Sequence, residues 1–419
     1  MPQSLQAFLP VASDNHFSLH NLPYGIFSLP NAPYKRVGTI IGEYVIDLAM
    51  LEQHGLFKNC YDPALFLFNQ PSLHTFVSQK KNLQQQVRQT LQYLFSAQTP
   101  ILRDNETLCQ AALHHQAEVI MHLPGQIPNY TDFYSSIDHA RNTGKLFRDK
   151  DNPLLPNYVH LPVAYHGRAS SIICSGQAIK RPNGQILPPN ATTPIFSPSK
   201  ALDFELEMAF FVGQNNPLGE PIKIEQAYDH IFGLVLLNDW SARDIQKWEY
   251  VPLGPFLSKS FATTISPWVV TLDALAPFKV KPRTQDPTPL PYLRYDHDFS
   301  FDIQLEVALK TNKMTRAEVI CRSNFSSLYW TMAQQLAHHT IAGCNMQIMD
   351  LIASGTISGT TPESEGCLLE RTAAGANPLT LSNGETRVYL QEGDEIIMTA
   401  FCQGSGYRIG FGEARGVII

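Results

Sequence analysis

From residue 126 onward this chain is punctuated so often by proline and glycine that few helices can form there. Prolines and glycine-rich turns crowd the stretches Pro153 to Pro162, Arg181 to Pro198 and Pro282 to Pro291. The short β-prone runs between them predict a β-barrel or β-roll. Two helices stand out against that texture. One is expected from Trp240 to Glu249, ended by Pro252. The other is expected from Ser326 to Ile341, with Leu328, Met332 and Leu336 on one stripe, stopping before Gly343. Upstream, residues 1–60 are β-rich and irregular. Tyr24 to Ser28 reads as a strand, and Val37 to Leu48 as two strands joined through Gly42-Glu43. Leu83, Val87, Leu91 and Leu94 then recur at helical spacing between Ser78 and Ser96, and Pro100 stops them. A boundary falls in 97–125, marked by Pro100, Pro124 and Gly125. The expected layout is mainly β with some α: a small N-terminal domain over 1–120 and a large catalytic domain over 121–419.

Composition narrows the function classes. Of 419 residues, 44% are apolar, enough for a large core, and 16% are charged. The net charge is −6 with no block of like charges, so nucleic acid and anionic membrane surfaces are not expected partners. No apolar run approaches the roughly 20 residues needed to cross a bilayer. Met1-Pro2-Gln3-Ser4 offers neither a basic start nor an apolar signal core. The seven cysteines lie far apart, without a Cys-x-x-Cys pair. They read as reduced, mostly buried thiols of a cytoplasmic protein rather than a disulfide frame or zinc site.

The stretch Asp203-Phe204-Glu205-Leu206-Glu207-Met208 carries the most chemistry. As a strand it turns Phe204, Leu206 and Met208 one way and Asp203, Glu205 and Glu207 the other, the two glutamates with Cα atoms about 6.5–7 Å apart. The plain reading is an exposed polar face. Against it stand the apolar continuation through Phe210-Phe211-Val212 and a second carboxylate, Asp239, closing the apolar run Ile231 to Asn238. If these acids converge they need a cation, since two unit charges about 4 Å apart repel by about 4 kcal/mol at an effective dielectric of 20. An all-oxygen set points to Mg²⁺ or Ca²⁺. Spacing alone leaves both readings open.

Three further features surround these acids. Arg243, Gln246 and Tyr250 are spaced to share one helix face just beyond the acidic strand end, where an ordinary solvated face is the alternative. Lys259 lies in the apolar loop Gly254 to Thr264, expected to be partly desolvated by Phe256, Leu257 and Phe261, and so to favour an anionic neighbour. Asn129 to Arg148 gathers an acid, a tyrosine, a histidine and an arginine in one polar segment. His338-His339, adjacent and about 100° apart on a helix, reads as structural.

The motifs Tyr134-Ser135-Ser136 with His139-Ala140 and Phe147-Arg148, Tyr165 to Ser171, Asn238 to Gln246, Gly254-Pro255-Phe256 and Gln403 to Gly412 closely resemble the fumarylacetoacetate hydrolase family over nearly the whole chain. The resemblance implies an SH3-like N-terminal barrel, a β-roll catalytic domain and a homodimer. It implies hydrolysis of a diketo-diacid, fumarylacetoacetate, to fumarate and acetoacetate. Carried over by residue, it makes Asp132, Glu205, Glu207 and Asp239 ligands of a catalytic Ca²⁺ or Mg²⁺. Asp239, Lys259 and Thr263 match a second, Mg²⁺ position, where the Lys259 backbone carbonyl is the more sensible ligand. His139 becomes the base, oriented by Glu370, and Arg243, Gln246 and Lys259 the oxyanion donors. Tyr134, Arg148, Tyr165, Gln246, Tyr250 and Thr356 become substrate contacts. Departures from the family pattern fall in the first 120 residues and in Thr360 to Gly366, away from these groups. Two other readings stay open: an acylpyruvate hydrolase or decarboxylase of the wider family, and a non-enzymatic metal-binding scaffold.

Overall fold

The computed structural model describes residues 5–419; Met1 to Ser4 lie outside it. Helices hold 23% of the chain and strands 29%, so the architecture is mixed α/β, with two domains and a curled half-barrel sheet. The N-terminal sheet has five antiparallel strands, in the order Leu113–His115, Tyr44–Asp47, Ala32–Ile41, Tyr24–Leu29, Ile120–His122. Its central hairpin turns at Gly42, whose φ of 59° suits glycine, with Ile41 paired to Tyr44. The expected 78–96 helix forms over Lys81–Phe95 and buries Val87, Leu91 and Leu94.

The larger sheet runs Ala164–His166, Tyr130–Phe133, Leu351–Ala353, Leu206–Val212, Ile231–Asp239, Thr263–Ile265, Ile172–Cys174, with Val270–Thr271 branching from Ile231–Asp239. Two of its pairings are parallel and the rest antiparallel. Along Leu206–Val212, Leu206, Met208 and Phe210 enter one core with Trp330, Leu336 and Phe411. Ala209 and Phe211 face the other way, into the core that holds Ile26, Leu51 and Leu91 of the N-terminal domain. Burying each such Leu or Phe contributes roughly 1.5–3 kcal/mol. Sheet and N-terminal domain therefore share a core, and a backbone pair, Tyr24 with Val269, stitches them at 2.8 and 3.0 Å. A four-stranded antiparallel sheet, ordered Glu318–Asn324, Gln304–Lys310, Glu395–Gln403, Arg408–Val417, completes the second domain.

Two helices begin later than their sequence signals. Trp240 is not helical, because Ser241–Ala242 pairs with Leu202–Asp203 and keeps the chain extended until Arg243–Glu249. The second helix spans Met332–Thr340, since Thr331 and Gln334 form a capping box there and Phe325–Ser327 is a separate 3₁₀ turn. All seven cysteines are free, with Cys174, Cys321, Cys367 and Cys402 buried. Among the described residues no helix is long and apolar enough to cross a membrane.

Candidate active site

Four carboxylates meet where strands of the large sheet end. Asp132 comes from Tyr130–Phe133, Glu207 from Leu206–Val212, Glu205 from the joint just before that strand, and Asp239 from the last position of Ile231–Asp239. Each offers an oxygen within 4.8 Å of the others. They are 0–5% exposed, which replaces the exposed polar face with a buried acidic pocket. Ala353 lies between Asp132 and Ala209 in the sheet and adds no bulk above the acids. The chain then turns through Gly355, whose N–H donates to Glu207 Oε2 at 3.0 Å. Asp203 does not join them, because the strand breaks at Phe204-Glu205 and Asp203 turns instead to Arg243.

Two cations partly compensate this charge. Arg243 Nη1 donates to Glu205 Oε1 at 2.6 Å. The Lys259 ammonium bridges Glu205 and Asp239, lying 2.7 Å from Asp239 Oδ2. An ammonium has no lone pair, so the Lys259 side chain is a donor to the acids and not a metal ligand. Thr263 Oγ1 likewise donates to Asp239 Oδ1 at 2.8 Å, and the Tyr165 hydroxyl to Oδ2 at 3.1 Å. Burial pushes Asp132 and Glu207 well above the usual carboxylate range, and the neighbouring acids add to it. Burial also pushes Asp239 up, Lys259 opposing it and Glu205 adding. At Glu205 burial is outweighed by Lys259 and Arg243, which hold it low. Asp132 Oδ1 and Glu207 Oε1 are buried with no hydrogen-bond partner. Unpartnered buried carboxylate oxygens in an all-oxygen set fit a hard divalent cation.

His139 sits beside this pocket in the helix Ile137–Phe147, which Ser136 caps by accepting from the His139 N–H at 3.2 Å. His139 Nδ1 lies 2.5 Å from Glu370 Oε2. The Glu370 carboxylate also accepts from Asn142 Nδ2 at 2.9 Å and Ser358 Oγ at 2.8 Å. Burial would raise this carboxyl, but His139 and the hydrogen bonds hold it below its ordinary value. With Nδ1 engaged, the other ring nitrogen of His139 is the one left for chemistry.

At the pocket edge, Arg243 Nη1 also donates to Gln246 Oε1 at 3.1 Å, which turns the Gln246 amide group outward as a donor. Arg243 Nη2 is buried without a partner. Thr356 is buried, and the Tyr134 hydroxyl pairs with Thr143 Oγ1 at 2.7 Å while its ring meets His139 edge-on. Arg148 and Tyr250 are exposed; Arg148 Nη1 donates to the Pro153 carbonyl and Tyr250 caps its helix. Phe256 and Leu257 do not desolvate Lys259 as expected: they are 71% and 50% exposed. Glu249 accepts from the N–H groups of Phe256, Leu257 and Ser258 and turns that part of the loop outward, while Phe261 stays partly buried and Lys259 pairs with Glu205 and Asp239. His338 and His339 are structural, paired with Tyr292 and Thr131. Sequence reasoning missed Asn142 and Ser358. Asn142 stands three residues after His139 on the same helix face, a usable signal, whereas Ser358 carries none.

A buried acidic cradle for a cation, with a carboxylate-held histidine and a free guanidinium donor beside it, defines a hydrolytic enzyme's pocket. Comparison with known proteins narrows that class. Residues 129–418 match the family described as "Fumarylacetoacetate (FAA) hydrolase C-terminal", and residues 20–124 match "Fumarylacetoacetase N-terminal". The chain belongs to the fumarylacetoacetate hydrolase family. It is 55% identical to the fumarylacetoacetase of Bos taurus and 53% identical to that of Homo sapiens, in both cases over 99% of this chain and 98% of the relative. The fumarylacetoacetase of Arabidopsis thaliana is 50% identical over the same shares of the two chains. A solved fumarylacetoacetate hydrolase from Exiguobacterium antarcticum shares the fold, with TM-score 0.52 at 16% identity over 95% of this chain and 99% of its own.

Proposed function

We propose that this chain hydrolyses the carbon–carbon bond of 4-fumarylacetoacetate, giving fumarate and acetoacetate, at the last step of phenylalanine and tyrosine breakdown. The observation that carries the reading is the side-by-side arrangement of the four buried carboxylates, the His139–Glu370 pair and the unpartnered Arg243 Nη2. Full-length identity of 50–55% to curated fumarylacetoacetases supports the substrate.

Asp132, Glu205, Glu207 and Asp239 would hold Ca²⁺ or Mg²⁺; when bound, the ion supplies a Lewis acid suited to a 1,3-diketone. The remaining steps belong to the chain. Glu370 holds His139 in the tautomer whose free nitrogen takes a proton from water. The hydroxide adds to the carbonyl carbon on the fumaryl side. Arg243 Nη2, the Gln246 amide and the Lys259 ammonium donate to the oxyanion, each such donor being worth roughly 3–4 kcal/mol. The carbon–carbon electron pair leaves with the acetoacetyl fragment, which takes up the proton from His139. Tyr134, Tyr165 and Thr356 line the substrate, and Arg148 and Tyr250, at the mouth, meet its carboxylates. Thr263 and the Lys259 carbonyl would serve a second Mg²⁺ position beside Asp239.

The same reading gives the enzyme a cytoplasmic location and a homodimeric state. It also makes residues 1–120 an SH3-like domain and 121–419 a β-roll. The strand Ile120–His122, paired with Tyr24–Leu29, spans that divide. The test is loss of diketone absorbance with fumarylacetoacetate and, separately, a simple acylpyruvate. Turnover of fumarylacetoacetate alone is expected. Turnover of the acylpyruvate instead would move the chain to another activity of the family, and silence on both in folded, metal-loaded protein would favour a binding scaffold.

A further inference from the structure

Asp203 is wholly buried, yet its carboxylate takes no part in the cation cradle. An ionised carboxylate offers about four acceptor sites, and here four donors occupy them. Oδ2 accepts from Arg243 Nε at 2.9 Å and from the Leu369 N–H at 3.0 Å. Oδ1 accepts from the Leu368 N–H at 2.8 Å and the Phe204 N–H at 2.9 Å. No lone pair is left for a metal or a substrate. Two of those donors open the turn Leu368–Arg371, which carries Glu370. The third is the guanidinium whose Nη1 is spent on Glu205 and Gln246 and whose Nη2 is left free.

We propose that Asp203 is a positioning residue for hydrolysis: one carboxylate that fixes the Arg243 guanidinium and the Glu370 turn against each other. The inference rests on the roles given above to Arg243, Glu370 and His139. The oxyanion donor and the carboxylate that orients the base lie far apart in sequence. Asp203 gives both a common reference, so displacing it misplaces the two together. A displacement of about 1 Å at such groups can cost on the order of 100-fold in rate.

The test is Asp203→Asn in the full chain, assayed on fumarylacetoacetate. The amide keeps the shape but turns an N–H₂ toward groups that are themselves donors. The expected result is kcat lowered about 100-fold, KM within about twofold of the unaltered protein, and Ca²⁺ affinity by calorimetry unchanged. Adding Asp203→Asn to Arg243→Ala or to Glu370→Gln should cost less than it costs alone, because one of the two groups it positions is already gone. Unchanged kcat, losses that multiply in full, or Ca²⁺ affinity falling together with kcat would each overturn the proposal. If the asparagine variant does not fold, Asp203→Glu, which keeps the charge one methylene out of place, carries the same measurements. Wild-type turnover in Arg243→Ala and Glu370→Gln would instead refute the roles on which the inference rests.

Discussion

Arg243 shows how completely the residues of this site are committed. Asp203 takes Nε of the guanidinium, Glu205 and Gln246 share Nη1, and the third nitrogen, Nη2, is buried without a partner. A buried donor left unpaired costs about 1–3 kcal/mol, a cost that a developing oxyanion would offset. Buried Asp132 Oδ1 and Glu207 Oε1 are the acceptor counterpart, which a bound cation would offset. Two truncations should separate these roles. His139→Ala should lower turnover by about 100- to 10,000-fold, the usual worth of a general base, with Ca²⁺ affinity nearly unchanged. Asp239→Ala should lose metal and turnover together. Parallel calorimetry and kinetics decide it: metal lost from the histidine variant, or both properties kept in the aspartate variant, would break the division of labour.

Secondary-structure elements bring the acids together at strand ends, and the turn after Leu351–Ala353 shows the precision needed. Gly355 has φ of 76°, and a Cβ there would lie 2.1 Å from the Phe133 carbonyl oxygen. Its N–H also holds Glu207. Gly355→Ala should therefore cost about 2–5 kcal/mol from backbone strain and overpacking, read as a lower denaturant midpoint; a midpoint equal to the parent's would refute this account of the turn. Much at this scale was legible. Period-2 alternation put Glu205 and Glu207 on one face, and the apolar run ending at Asp239 marked a buried strand end. The resemblance, rather than spacing, linked His139 to Glu370, because their contact spans 231 residues. Alternation also grouped Asp203 with the other acids, and there it failed. The ladder changes partner at Phe204-Glu205, which no local pattern records. The outward turn of Phe256 and Leu257 was hidden for a similar reason, since it depends on Glu249, seven and eight residues upstream.

Over the whole molecule, the large sheet packs one face on the core of its own domain and the other on the N-terminal domain. The acids at its strand ends are 0–5% exposed, so a cation bound among them would add to the stability of the fold. A ligand that binds only the folded state at 100 times its Kd adds about 2.7 kcal/mol. Without a cation, the four cradle acids and Asp203 are buried with Lys259 and Arg243 as their ion-pair partners. The most direct measurement follows fumarylacetoacetate loss and the thermal midpoint on one sample before chelation, after it, and after Ca²⁺ or Mg²⁺ is returned. The account predicts that both fall on chelation and both recover with either ion. Full turnover in chelated, metal-free protein would contradict it.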